Sequence, residues 1–181
     1  MQEIFLTNDG RLSYEPLYSI IDLSVQGGYT FYMKEIYRAH GTVNKGFIGQ
    51  IAYTVCLDSV YTEMDVHLHF EKNRVQEQTP ELKEEIKTQI KQKYGTDITE
   101  DELNRILKEM KTEIQLTVFM NDRFVGSIHK QLTDRHMYIS PSAATEGAIA
   151  QKSIEGVIKV LVIFFNVLYD DTPYSVSVSV K

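Results

Sequence analysis

The sequence predicts an α+β fold: about eight antiparallel strands in one strongly curved sheet or partial barrel, packed on a long apolar C-terminal helix, with an inserted two-helix hairpin. Three observations carry this reading. Apolar and polar residues alternate through 17–25, 64–70 and 174–180, the period-2 pattern of half-buried strands. Two segments between 79 and 112 carry helix caps and four-residue apolar spacing. The run 157–168 is apolar nearly all round, and a helix with no polar face must be covered on most sides.

Along the chain, Leu17, Ile21, Leu23 and Val25 share one parity, and Gly27-Gly28 then supplies a hairpin turn. The next strand runs from Tyr29 towards Tyr37, and Ala39 to Gly46, with two glycines and Asn44, reads as a loop. Strands follow over 47–57 and 64–70, the latter with Met64, Val66, Leu68 and Phe70 against Asp65, His67, His69 and Glu71. Thr79-Pro80 is an N-cap with proline at the first helical position, and Gly95 stops that helix. Thr99 and Glu102 form a capping box for the second helix. Both helices have one apolar stripe, so the hairpin 79–112 lies on the surface of a single domain spanning 1–181. Strands return over 114–120, turn at Asn121-Asp122 and run back to Gln131, with a short strand at 137–139. Ser140-Pro141-Ser142 opens the last helix, which is expected to run to Tyr169. Finally Tyr174, Val176, Val178 and Val180 alternate with Ser175, Ser177 and Ser179.

Composition limits the partners. The chain has 181 residues, 43% of them apolar and 24% charged, which suits one folded domain with its own core. Its net charge is −6 and its cations are scattered, so the basic footprint of a nucleic-acid binder is missing. Cys56 is the single cysteine, which excludes an intrachain disulfide and points to a reducing, cytoplasmic setting. Residues 1–10 lack the basic start and apolar run of a signal peptide. The apolar run 157–168 falls short of the roughly 20 residues of a spanning helix, so no membrane partner is expected. Lysine outnumbers arginine while isoleucine and tyrosine are plentiful, a codon bias that favours a prokaryotic or phage source.

Asp65, His67, His69 and Glu71 form the most site-like constellation. Their shared parity projects two imidazoles and two carboxylates from one face, where they can hold a divalent metal if His129 or His136 joins from a neighbouring strand. The plainer reading is the solvated outer face of an antiparallel strand. Cys56 has no adjacent base in its own strand and reads as a passive thiol. The small residues from Ser142 to Ala150 suit close packing better than anion binding, since no glycine-rich loop precedes them. Tyrosines crowd the N-terminal hairpin on both parities, so Tyr18 and Tyr32, together with Val176 and Val178 of the clean terminal strand, are candidate interface residues.

No P-loop, G-x-S-x-G or H-E-x-x-H motif is present. The expected function is therefore a non-catalytic protein-binding or regulatory accessory protein, a homo-oligomer or bound to a protein partner, with no cofactor. Two alternatives stand beside it. One is a carrier of a small apolar ligand, held between sheet and C-terminal helix by Met33, Tyr53, Phe70, Ile158 and Phe165. The other is a metal-dependent hydrolase using the 65–71 strand face.

Overall fold

The structure, a computed structural model, describes residues 5–6, 12–13, 33–130 and 132–181. The elements are β1 (Phe5–Leu6), β2 (Leu12–Ser13), β3 (Lys34–Val43), β4 (Gly49–Cys56), β5 (Met64–Phe70), α1 (Pro80–Tyr94) and α2 (Glu100–Glu109). They continue with β6 (Glu113–Met120), β7 (Arg123–Ile128), β8 (Asp134–Ile139), β9 (Val157–Asn166) and β10 (Thr172–Val180). β1 and β2 pair with each other, and the remaining strands make two four-stranded antiparallel sheets. Sheet I has the order β3-β10-β5-β8 and sheet II the order β4-β9-β6-β7.

The two sheets lie face to face over one core. Val66 and Leu68 of β5 and Val176 and Val178 of β10 meet Val160 and Val162 of β9 and Leu116 of β6, all of them fully buried. Across the gap the hydroxyls of Tyr53 and Tyr174 bond at 2.8 Å, and the rings of Phe164 and Tyr174 meet edge to face at 5.3 Å. Burial, reinforced by the Tyr53 bond, pushes the Tyr174 phenol well above its usual range. Arg135 also crosses the core. Its guanidinium donates to the carbonyls of Leu132 and Ile114 and lies 5.2 Å from the Phe70 ring centre. Burial pushes its pKa down to about 10, so it stays charged at neutral pH.

The expected α+β fold is corrected on three points. Among the described residues strand outweighs helix, at 47% against 17%. The strands form two stacked sheets in place of one curved sheet or partial barrel, and no barrel closes. Most sharply, no C-terminal helix exists: residues 157–166 are β9, and the last element is the strand β10.

The misread run has a physical cause. Val157, Ile158, Val160, Val162 and Ile163 are β-branched and favour strand, yet the run is apolar on both parities, so its period cannot separate a two-sided strand from a buried helix. Upstream, Gly147 and Gly156 have φ of 92° and 81°, a left-handed backbone that no helix interior accommodates. Both glycines are also held close to neighbours. A Cβ on Gly147 would meet the Ser127 carbonyl at 2.4 Å, and one on Gly156 would meet Asn121 Oδ1 at 2.1 Å.

The segment 140–156 instead forms a strap along one flank. Thr145 N–H donates to the Tyr138 carbonyl on the free edge of β8, and its hydroxyl accepts from Tyr138 N–H. Ser127 N–H donates to Gly147, and Ile149 N–H to Val125, on the free edge of β7. Both outer strands on that side are thereby occupied, which protects them from pairing with another chain.

The inserted helices show the caps that the sequence specifies. Thr79 accepts from Leu82 N–H, Gly95 ends α1 at φ 71°, and the Thr99–Glu102 capping box is complete. Ile86, Leu103 and Leu107 make a small core separate from the main one. β3 runs on to Val43, through the first half of the stretch expected to be a loop, because Gly41 lies flat against Tyr174, whose ring would be 2.6 Å from an added Cβ; Gly46 lies in the turn that follows, at φ 76°. Residues 17–25, the Gly27-Gly28 turn and the start of the strand at Tyr29 fall outside the described residues. No helix among the described residues is long and apolar enough to cross a membrane.

Candidate functional site

The outer face of sheet I gathers nearly all the histidines. Because side chains alternate along a strand, the inward set Val66, Leu68 and Met137 leaves Asp65, His67, His69, Asp134, His136 and Tyr138 pointing away from the core. Register then decides neighbours: His67 lies opposite His136, His69 opposite Asp134, and Asp65 opposite Tyr138. On the other side of β5, β10 sets Ser175, Ser177 and Ser179 opposite His69, His67 and Asp65. Beyond β10, β3 contributes His40, Arg38 and Glu35 in the same three rows.

Two carboxylates organise the imidazoles. Asp134 Oδ1 accepts from His67 Nε2 at 3.1 Å and from His69 Nδ1 at 2.9 Å, while Asp65 Oδ2 accepts from His136 Nδ1 at 2.8 Å. A carboxylate only accepts, so these contacts put the proton on those ring nitrogens and leave the second nitrogen of each neutral ring as a lone pair. The rings of His67 and His136 stack at 4.1 Å with 3° between planes. Around them Arg38 is held by Glu35, and Glu63 receives both the Tyr138 hydroxyl at 2.9 Å and Lys181 Nζ at 3.0 Å.

The stacked pair is electrostatically unequal. Burial, and then the charge of the facing His136, hold His67 below the usual imidazole range. The hydrogen bond to Asp65 outweighs burial and raises His136 above it. For Asp134, burial pushes upward, but the bonds from His69 and His67 prevail and its carboxyl sits below the ordinary value. Protons therefore reach His136 before His67, because two stacked cations repel.

Each residue singled out from the sequence has a definite place. Asp65, His67 and His69 share this face, with Asp65 only 4% exposed, whereas Glu71 lies exposed just past the end of β5. No group of three or more donors among the described residues is disposed to hold a metal ion. Asp134 and Asp65 are already committed to ring N–H groups, and His129 sits elsewhere, its ring 5.4 Å from Phe165 on sheet II. Ser177 faces His67 across the ladder, but no hydrogen bond joins them, and β10 spends its N–H groups on two neighbours, leaving none for an oxyanion. Cys56 is exposed on β4, in the other sheet from His40, His67 and His69.

The five carrier residues do not converge. Phe70 and Ile158 are fully buried between the sheets, Tyr53 is bonded to Tyr174, Met33 is buried ahead of β3, and Phe165 is exposed on the outside of β9. The helix meant to wall that cavity is absent. A half-open cleft of about 190 Å³ lies between α1 and the segment after β9, below the roughly 300 Å³ of ordinary ligand sites. Val176 and Val178 pair within sheet I and are fully buried, while Tyr18 and Tyr32 fall outside the described residues. Sequence reasoning had marked His136 as a possible companion of His67, but it missed Asp134, the pivot of the network. The signal was the alternation Asp134, His136, Tyr138, legible only once the strand is started three residues earlier.

A family model described as "Family of unknown function (DUF6669)" matches residues 33–181. No curated protein and no solved structure matches the chain. The chain belongs to that family.

Proposed function

We propose that this chain, as a member of a family of unknown function, is a non-catalytic binding protein of regulatory or accessory type, whose histidine face docks an acidic segment of a protein partner more tightly as pH falls. One observation carries the reading: His67, His69 and His136 each spend one ring nitrogen on Asp65 or Asp134 and keep the other uncommitted. Neutral rings offer acceptors, and protonated rings offer donors. The ion pairs Arg38–Glu35 and Lys181–Glu63 cancel, so Asp65 and Asp134 give the face a negative balance. Proton uptake, at His136 first, shifts that balance towards positive. The lone thiol of Cys56 supports a reducing cytoplasm as the setting, and the excess of lysine over arginine supports a prokaryotic or phage one.

A fluorescent deca-glutamate peptide titrated into the full chain at pH 7.5 and pH 5.5 tests this. Binding at least about tenfold tighter at the lower pH is expected, a difference of about 1.4 kcal/mol. His67→Asn with His136→Asn should abolish most of that gain while leaving the rest of the chain's acid titration intact. A pH response of equal size in the double variant, or no binding at either pH, overturns the proposal.

A further inference from the structure

The geometry points to a second docking surface: the outer face of sheet II receives the same face of a second copy of this chain. β9 is central in that sheet, and its outward residues Val157, Leu161, Ile163 and Phe165 are joined by Phe119 and Phe124 from β6 and β7. Val157, Phe165 and Phe124 are 38%, 44% and 49% exposed, where the outside of a sandwich strand is ordinarily polar.

The polar groups that β6, β7 and β9 place on this face are satisfied by one another, while Gln50 and Thr54 of β4, on the same face, are exposed. Gln115 donates to Thr117 at 3.2 Å and to Ser127 at 2.7 Å, and the Thr117 and Ser127 hydroxyls bond at 2.8 Å. The central cation, Lys159, is paired with Asp122 at 2.9 Å. Removing such groups from water leaves no new orphan donor or acceptor, so desolvation costs little.

Charge and area select the occupant. Two copies of a chain with net charge −6 repel one another, and a face whose central charge is internally paired is where they meet with least repulsion. Four strands about 4.8 Å apart and about eight residues long cover roughly 500 Å² per copy. Two copies therefore bury roughly 1,000 Å² or more, the lower bound for a specific interface, so a weak, concentration-dependent dimer is expected. One patch meeting itself is the isologous arrangement of a two-fold dimer, with the sheets stacked as in a sandwich.

Sedimentation of the full chain across micromolar to about 200 µM tests it, the upper limit set by the weak affinity expected of a minimal interface. The mass should rise from 20.9 kDa towards twice that value. Phe165→Lys should weaken association by about tenfold or more, and a Ser175→Lys variant on sheet I should leave it unchanged. Cys56, the single cysteine, lies on this face opposite Val157, so a nitroxide there reads the arrangement without any packing mutation. Two labels should then lie within about 40 Å, the span of the stacked faces. A strict monomer, or a dimer indifferent to Phe165→Lys with labels beyond that distance, overturns the inference. So does a monomer in which Phe165→Lys raises amide exchange in residues 1–32, which would assign the face to the chain's own N-terminal segment.

Discussion

On the outside of sheet I, β5 and β8 set Asp65, His67, His69, Asp134 and His136 against one another, whereas on the outside of sheet II β9 sets Val157, Leu161, Ile163 and Phe165 in a row. Both faces use the same alternation and nearly the same number of rungs. They differ in what water does to them. The first holds charges that protons redistribute, so the binding proposed there is expected to follow pH; the second holds apolar area, so the occupancy of the dimer proposed there is expected to follow concentration. A sandwich needs only its inner faces for folding, which leaves the two outer ones free to be tuned separately.

The contrast is sharpened most by neighbouring residues on β9. Phe164→Ala removes a side chain that is 1% exposed in the core and should cost about 3–5 kcal/mol in urea unfolding. Phe165→Ala, one residue along and 44% exposed, should change the stability of the dilute chain by no more than about 1 kcal/mol. Equal losses would mean that the outer face of sheet II is part of the monomer's core, and the distinction would fail.

Next in size is the pH response of sheet I. His136 titrates above its unfolded value, so its contribution is fully present below about pH 6.5 and is lost as pH rises through the raised folded value. His67 is displaced the other way: its contribution is present above about pH 6.5 and is lost as pH falls through the lowered value. Asp65→Asn should therefore destabilise more at pH 6 than at pH 8, and should bring the two imidazole titrations closer together in NMR. A stability difference independent of pH would show that Asp65 acts by packing alone.

The smallest effect expected is on sheet II. Lys159→Ala breaks an exposed pair with Asp122, whose side chain is 87% exposed, and should alter stability by less than about 1 kcal/mol. If it instead strengthens self-association, the desolvation of that cation is what limits the dimer.

How much of this the sequence disclosed depended on whether a pattern was one-sided. β5 and β10 alternate between apolar and polar residues, and their inward faces follow directly. The helix caps of α1 and α2 are local chemistry and were equally readable. β9 was not, since Val157 to Phe165 lacks a polar parity and its true signal lay in β-branched content and in Gly147 and Gly156 upstream. The candidate site was half visible. Parity placed Asp65, His67 and His69 on one face, but the pairing of His67 with His136 and of His69 with Asp134 is a matter of register, and register is a tertiary property.

The strap at residues 140–156 has a consequence for assembly beyond the pair. With the margins of β7 and β8 occupied, the outer strands left uncovered in the two described four-stranded sheets are β3 and β4, together on the opposite flank. Backbone pairing with another chain at these sheets is thereby confined to one side of the sandwich.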